Sequence, residues 1–284
     1  LSRSRTDGIL VWSLRVAAAV AGAIALLIGV FLVLESMPVL RSVGPWRFFS
    51  DPSWHPTDNL YNLVPMLWGT LFAMAGAVLV ATPLGILSAV FCQYYAPASI
   101  ARVYRSLIEL LAGIPSVVYG LWGLMVLVPL IGAIRPPGPS LLAGVIVLAI
   151  MILPTIALSA DAALRNVPAD YARGAAALGI SRWGTVRHVI FPAAKSGLFT
   201  GVILETGRAI GETMAILMVC GNQIQTPRSI FDPVRTLTAN IALEMAYAMG
   251  SHRSALFVSG LILLLLIVAL VTAAEWISRG RIYG

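Results

Sequence analysis

The sequence predicts an all-α fold: a polytopic membrane protein with six transmembrane helices and one long cytoplasmic loop that carries two short helices. Three features lead there. Of 284 residues, 59% are hydrophobic and 11% are charged, against about 25% charged in a soluble domain. Six stretches are apolar over the roughly 20 residues that a helix needs to cross the hydrocarbon. One segment between them, 161–196, is long, basic and rich in helix signals. The apolar surroundings of this chain are therefore lipid, and 1–284 reads as a single transmembrane domain.

Taken in order, the spans fall at about 16–34, 63–92, 110–134, 141–160, 197–221 and 255–274. The first is long for the apolar part of a signal peptide, and Glu35-Ser36-Met37-Pro38 behind it makes a poor cleavage site, so it is a retained helix. The second is long enough to tilt. Pro65, Pro83, Pro115, Pro129 and Pro154 lie within spans two to four, where neighbouring groups re-satisfy the carbonyls that a proline leaves unpaired. Gly113, Gly120 and Gly123 give the third span close-packing positions. The fifth is apolar except for Glu205, Arg208 and Glu212. The chain opens at Leu1 rather than Met, so residues are expected to be missing from its N-terminus.

The net charge is +7, with 19 basic and 12 acidic side chains. In a soluble protein such a surplus suggests nucleic acid. In a membrane protein it marks the loops that set topology, and no nucleic-acid partner is expected. With the N-terminus in the cytoplasm, the inner side carries Arg3, Arg5, Arg15, Arg102, Arg105, Arg165, Arg173, Arg182, Arg187, Lys195, Arg279 and Arg281. The outer side carries Arg41, Arg47, Arg135, Arg228, Arg235 and Arg253. This two-to-one bias predicts both termini in the cytoplasm. The outer loop 35–62 is rich in proline and tryptophan, including Trp46 and Trp54, and is expected to lie flat at the membrane interface. Residues 135–139 form a tight outer turn, and 236–249 read as a helix too short and too polar to span.

The inner segment 161–196 is the most informative. Pro168 suits a helix start, 169–178 is an Ala-rich helix, and Gly179 suits the left-handed residue that ends it. Ser181 then caps a second short helix, which is expected to stop before Pro192. Two short helices form a knob, and a knob implies a cytoplasmic partner with a socket.

These residues carry a resemblance. Permeases of ABC importers have a loop signature of Glu-Ala-Ala, three residues, Gly, nine residues and Ile-x-Leu-Pro. This chain reads Arg173-Gly174-Ala175, three residues, Gly179, nine residues and Val189-Ile190-Phe191-Pro192. The Gly, the Pro, the second Ala and the spacing match, whereas Arg173 stands where the family has Glu. Ile108 to Gly120 and Gly207 to Ala215 resemble the third- and fifth-span motifs of phosphate permeases, and Thr236 to Glu244 favours the C-type subunit over its A-type partner. The resemblance covers most of the chain beyond the first 60 or so residues.

The resemblance implies a non-catalytic pore subunit of a phosphate importer. It implies a homologous A-type permease subunit, two ATPase subunits that hold ATP and Mg, a periplasmic or lipid-anchored phosphate-binding protein, and membrane lipid as partners. Ala169, Arg173, Gly174, Ala175, Ala176 and Gly179 would form the surface that docks into the ATPase.

The chain itself supplies no Walker A phosphate loop, since its only lysine, Lys195, has no glycines at the required positions. No catalytic residue, bound cofactor or metal site is expected, because His55, His188 and His252 are scattered on both sides. Cys92 and Cys220 fall near opposite faces and are expected to be free thiols. On one continuous helix Glu205, Arg208 and Glu212 share a face, extended by Gly201 and Ala215. An ionisable group at such depth is functional by default, so Arg208 is the expected anion contact, paired to Glu212 or Glu205. Glu109, at the inner end of its span, is a structural or a pathway charge. The rival readings are a sulfate or molybdate permease, or an autonomous secondary transporter, for which inverted repeats are the usual sign; none is visible here.

Overall fold

The computed structural model describes residues 5–279, so Arg3 and Arg281 of the orientation count lie outside them. Helix α1 (Arg5–Val43) outruns the expected 16–34 at both ends and contains Pro38. Val39, just beyond that proline, is buried in a cluster with Leu63, Met66 and Leu256, and this packing outweighs the proline's helix-breaking tendency.

The next segment corrects the sequence reading. Helix α2 (Arg47–Ser50) and a hairpin of β1 (Trp54–His55) and β2 (Leu60–Tyr61), with Trp54 opposite Tyr61, fold into a cap. Phe48, Trp54 and Tyr61 are buried together with Leu63, Met66, Leu237 and Leu256. Each aromatic buries about 150–250 Å² in such a cluster, more than a ring lying at the interface removes from water. Trp46 stays exposed.

Helix α3 (Val64–Val90) ends in a π-helical turn, 91–95, and is followed by α4 (Ala98–Ala112) and α5 (Ser116–Trp122). Here the expected third span, 110–134, is divided. Pro115 disfavours helical backbone at Ile114, so α4 closes at Ala112. The helix of membrane length runs from Ser116 to Ile134. Within it a second π turn, 123–127, precedes α6 (Val128–Ile134) and Pro129; the wider turn accommodates a residue that has no N–H to donate.

Helix α7 (Leu141–Arg165) is capped by Ser140 Oγ, which accepts from the Ala143 amide at 3.3 Å. It is the spine of the molecule and packs on α3 and α4, burying Leu148, Ile152 and Ile156. Helix α8 (Ala169–Ala177) ends at Gly179, whose φ is +72°, and Ser181 Oγ accepts from the Gly184 amide at 3.1 Å to cap α9 (Arg182–Thr185). The second helix does not stop before Pro192. It continues through a π turn, 186–190, into α10 (Phe191–Gly211), with Pro192 in the first turn of that helix. That position tolerates a residue without an amide proton.

Past α10 come α11 (Met214–Val219), α12 (Leu237–Glu244) and α13 (Gly250–Arg279). Helix α12 is short, as expected, though it ends at Glu244 rather than at residue 249; it is mostly buried, and Leu237 N donates to Thr70 Oγ1 of α3 at 3.0 Å. Helix α13 pairs with α1 along the outside, where Phe31 and Phe257 meet edge to face. Gly120 shows why the third span needs glycine: a Cβ there would stand 2.8 Å from Ala215 Cα, where α5 crosses α11. Among the described residues six helices are long and apolar enough to cross a membrane.

Candidate functional site

The charged stretch of the fifth span is not one continuous helix. Helix α10 stops at Gly211, Glu212 turns to extended backbone with ψ at 127°, and α11 starts afresh at Met214. Glu212 is committed to this break. Its Oε1 accepts from the Ala215 amide at 3.1 Å, and its carbonyl accepts from Thr238 Oγ1 of α12 at 2.9 Å. The carboxylate thus caps α11, satisfying one of the amides that every helix leaves unpaired at its start. Of the two carboxylates offered as partners of Arg208, Glu212 is thus engaged elsewhere.

The nearer carboxylate is Glu205, one turn earlier. Its Oε2 lies 3.9 Å from Arg208 Nη1 and 2.6 Å from Thr155 Oγ1 on α7. The first distance is an ionic contact but too long for a hydrogen bond. Glu205 is therefore tied to α7 through Thr155, which follows Pro154 in the sequence, while Arg208 keeps its fork of donors. Their exposures differ accordingly, 13% for the Glu205 side chain and 40% for Arg208.

Arg208 shares its face of α10 with exposed Leu204 and Gly211 and with Gly207, beside which no atom lies within 4 Å. Gly201 and Ala215 do not extend that face: both are buried, Gly201 against Ser159 and Ala215 beneath Gly120. The site is a single guanidinium on an open helix face, steadied by a carboxylate that is itself anchored elsewhere. A planar fork of N–H donors matches the oxygens of a tetrahedral oxyanion or a carboxylate.

The remaining sequence-predicted residues divide. Glu109 is exposed at the end of α4 and lines a cavity with Arg102, Arg105 and Arg165. On α8, Ala169, Arg173, Gly174 and Ala176 are exposed, as is Gly179 after it, and Arg173 pairs with Asp170 at 2.6 Å in a fully solvated contact that contributes little. Ala175 is the exception. It is 5% exposed and turned into the chain. The large apolar groups that project from this loop are Tyr171, Leu178, Ile180 and Trp183; they lie outside the matched motif positions, although large apolar side chains in a polar loop are a legible signal. Cys92 and Cys220 are buried free thiols.

The comparisons with known proteins agree with this architecture. A model of the binding-protein-dependent transport system inner membrane component matches residues 81–283. The chain belongs to that family. Among relatives of this inner membrane component, a probable ABC transporter permease, YqgH of Bacillus subtilis, is 41% identical over 263 residues, covering 89% of this chain and 85% of that protein. The phosphate transport system permease PstC of Mesorhizobium japonicum is 33% identical over 277 residues, covering 87% and 85%. PstC of Haemophilus influenzae is 35% identical over 263 residues, covering 82% and 84%.

Solved structures share the fold. An alginate ABC transporter, in complex with its alginate-bound periplasmic protein, superimposes with a TM-score of 0.65 at 13% identity, covering 98% of each chain. The inward-facing MetNI methionine ABC transporter does so with 0.61 at 21% identity, covering 77% of this chain and 95% of that one. The fold is therefore that of ABC transporter permeases, in a multi-pass membrane protein.

Proposed function

We propose that this chain is the C-type permease subunit of an ATP-driven importer that moves inorganic phosphate across the bacterial inner membrane into the cytoplasm. What carries the reading is Arg208, the one basic side chain in the stretch 197–221, standing on an open helix face in a chain whose relatives include permeases named for phosphate transport. An anion crossing hydrocarbon pays a large desolvation penalty, and one fixed guanidinium offsets part of it without binding so tightly that release fails. The open face needs a second wall, which an A-type permease subunit would supply. ATP and Mg would be held by two ATPase chains, and a periplasmic or lipid-anchored phosphate-binding protein would deliver the substrate. Both termini would be cytoplasmic. The importer reconstituted from this chain and its partners should accumulate labelled phosphate in vesicles when supplied with ATP. Accumulation of sulfate or molybdate in preference to phosphate would overturn the substrate, and phosphate uptake by this chain alone, without ATPase, would overturn the class.

The surface that docks the ATPase would be the exposed side of α8 and the turn after it, with Leu178, 81% exposed, as its most prominent apolar group. Leu178→Glu is expected to weaken copurification of the ATPase roughly tenfold or more, because a carboxylate forced into an apolar contact is costly, while the chain still inserts. Unchanged ATPase recovery would remove Leu178 from the interface. Ala175→Trp, by contrast, should disrupt the loop itself, since Ala175 packs inward.

A further inference from the structure

We propose that the cavity between the end of α3, helix α4 and the end of α7 is an anion site that takes a phosphate group, carried either by an anionic phospholipid head or by free inorganic phosphate. The cavity has a volume of about 620 Å³ and is lined by Arg102, Arg105 and Arg165, with Gln93, Ser106 and Glu109. It opens at the end of the bundle from which the α8–α9 knob emerges, directly after Arg165.

The charges do not cancel. Behind the wall, Asp161 of α7 holds two of the arginines at once. Arg105 Nε and Nη2 reach its two oxygens at 3.1 Å each, and Arg165 Nη2 lies 2.7 Å from Oδ2. One carboxylate cannot neutralise two guanidiniums. Arg102 has no ion pair among the described residues, and Glu109 on the rim has none either, so three cations face two carboxylates.

Donors are also left over. Arg105 spends Nε and Nη2 on Asp161 and Gln93, and its Nη1 makes no hydrogen bond among the described residues. Arg165 commits one nitrogen, and its side chain is 49% exposed. Asp161 thus acts as a clamp that orients two forks beside a third, an arrangement suited to the several acceptor oxygens of a phosphate.

An independent feature brings lipid within reach. The opposite side of α4 exposes Ile100, Val103, Leu107 and Leu110. Tyr104 and Ser88 join hydroxyls at 2.6 Å, and so bring this face next to exposed Leu84, Leu87 and Phe91 of α3 and its terminal turn. A helix with basic side chains on one side and an unbroken apolar surface on the other is the form that binds at a membrane–water boundary. Free phosphate, arriving from the cytoplasmic side, would use the same donors without the apolar face.

The test uses the full chain in nanodiscs, in an Arg208→Gln background so that binding in the fifth span does not count. In discs of phosphatidylcholine doped with phosphatidylglycerol, native mass spectrometry should find phosphatidylglycerol retained on the chain. In discs of phosphatidylcholine alone, equilibrium dialysis should find labelled inorganic phosphate bound. Either result supports the site, and which one appears identifies the source. Arg102→Gln, which removes no hydrogen bond or ion pair among the described residues, should lower the observed binding roughly tenfold, the loss of a charge-assisted hydrogen bond. Ser106→Asp should lower it at least as far by placing a carboxylate in the cavity. Absence of both ligands, or binding that neither substitution changes, overturns the proposal.

Discussion

Arg208→Gln will abolish or cripple phosphate uptake while leaving the importer assembled. The argument rests on what Arg208 does not do. It sits 3.9 Å from Glu205 of its own helix, beyond hydrogen-bond range, and is 40% exposed, so among the described residues it forms no ion pair that joins one helix to another. A partly exposed pair at that distance contributes well under about 1 kcal/mol to stability. The energetic role left to it is toward a ligand. An oxyanion entering the span loses its hydration, and removing the one cation there raises its barrier by the value of a charge-assisted contact, about 1.5–3 kcal/mol, or about 10- to 150-fold in rate. Arg208→Lys keeps the charge and loses the fork, and should fall between. Thermal melting of the purified complexes separates the two readings of the residue: the uptake loss should come with a melting temperature close to wild type. Arg208→Gln complexes that transport phosphate at the wild-type rate would remove it from the pathway. Thr155→Val should give a smaller defect, because it releases Glu205 and lets that carboxylate close on Arg208.

The class of fold was legible because it depends on quantities that a sequence carries directly: the length of apolar runs, the scarcity of charge, and the fixed spacing of Gly179 and Pro192. The loop helices were legible for the same reason, since Ser181 and Gly179 act through their own backbone. Helix limits were less so. Pro192 and Pro129 are each preceded by a π turn, and Pro38 is held in α1 by burial of Val39; in all three cases packing decides what propensity leaves open. Pro115 has no such support and does break its helix. The charged residues of the candidate site were visible in the sequence one by one, but their arrangement was not. Equal spacing put Glu205, Arg208 and Glu212 on one face, and the break at Glu212 removes that premise. Gly211 followed by Glu212 and Thr213, with a carboxylate three residues before Ala215, is a helix-start pattern that the apolar length of the span concealed. Contacts such as Thr155 with Glu205 or Thr238 with Glu212 join positions far apart in the chain, and no local pattern reports them.

The same holds for Arg235, which read as a marker of topology and proves to be the centre of a buried network at the end of the bundle where the β-hairpin cap sits. Its Nη1 donates to Glu244 Oε1 at 2.6 Å and to Asn240 Oδ1 at 3.1 Å, and its Nε donates to the Asn222 carbonyl at 3.0 Å. Glu244 Oε2 accepts from Trp54 Nε1 at 2.9 Å and lies 2.8 Å from His252 Nε2. One carboxylate therefore ties together the N-terminal cap, the loop before α12, α12 itself and the start of α13. Glu244 and Arg235 are 10% and 16% exposed at their side chains, so neither finds water as a substitute partner. Removing one member of a buried pair strands the other and costs about 3–5 kcal/mol. Glu244→Ala is accordingly expected to lower the melting temperature of the purified chain sharply and to make the 222–250 segment sensitive to protease. Replacing the pair by Leu in Glu244→Leu with Arg235→Leu should recover much of that loss, since no charge is then left buried, although Trp54 and Asn240 still lose partners. A double variant no more stable than Glu244→Ala would mean that the network's hydrogen bonds to Trp54 and Asn222, rather than its charge pairing, hold the cap in place. A Glu244→Ala chain that melts like wild type would mean that the cap is held by its buried aromatics alone.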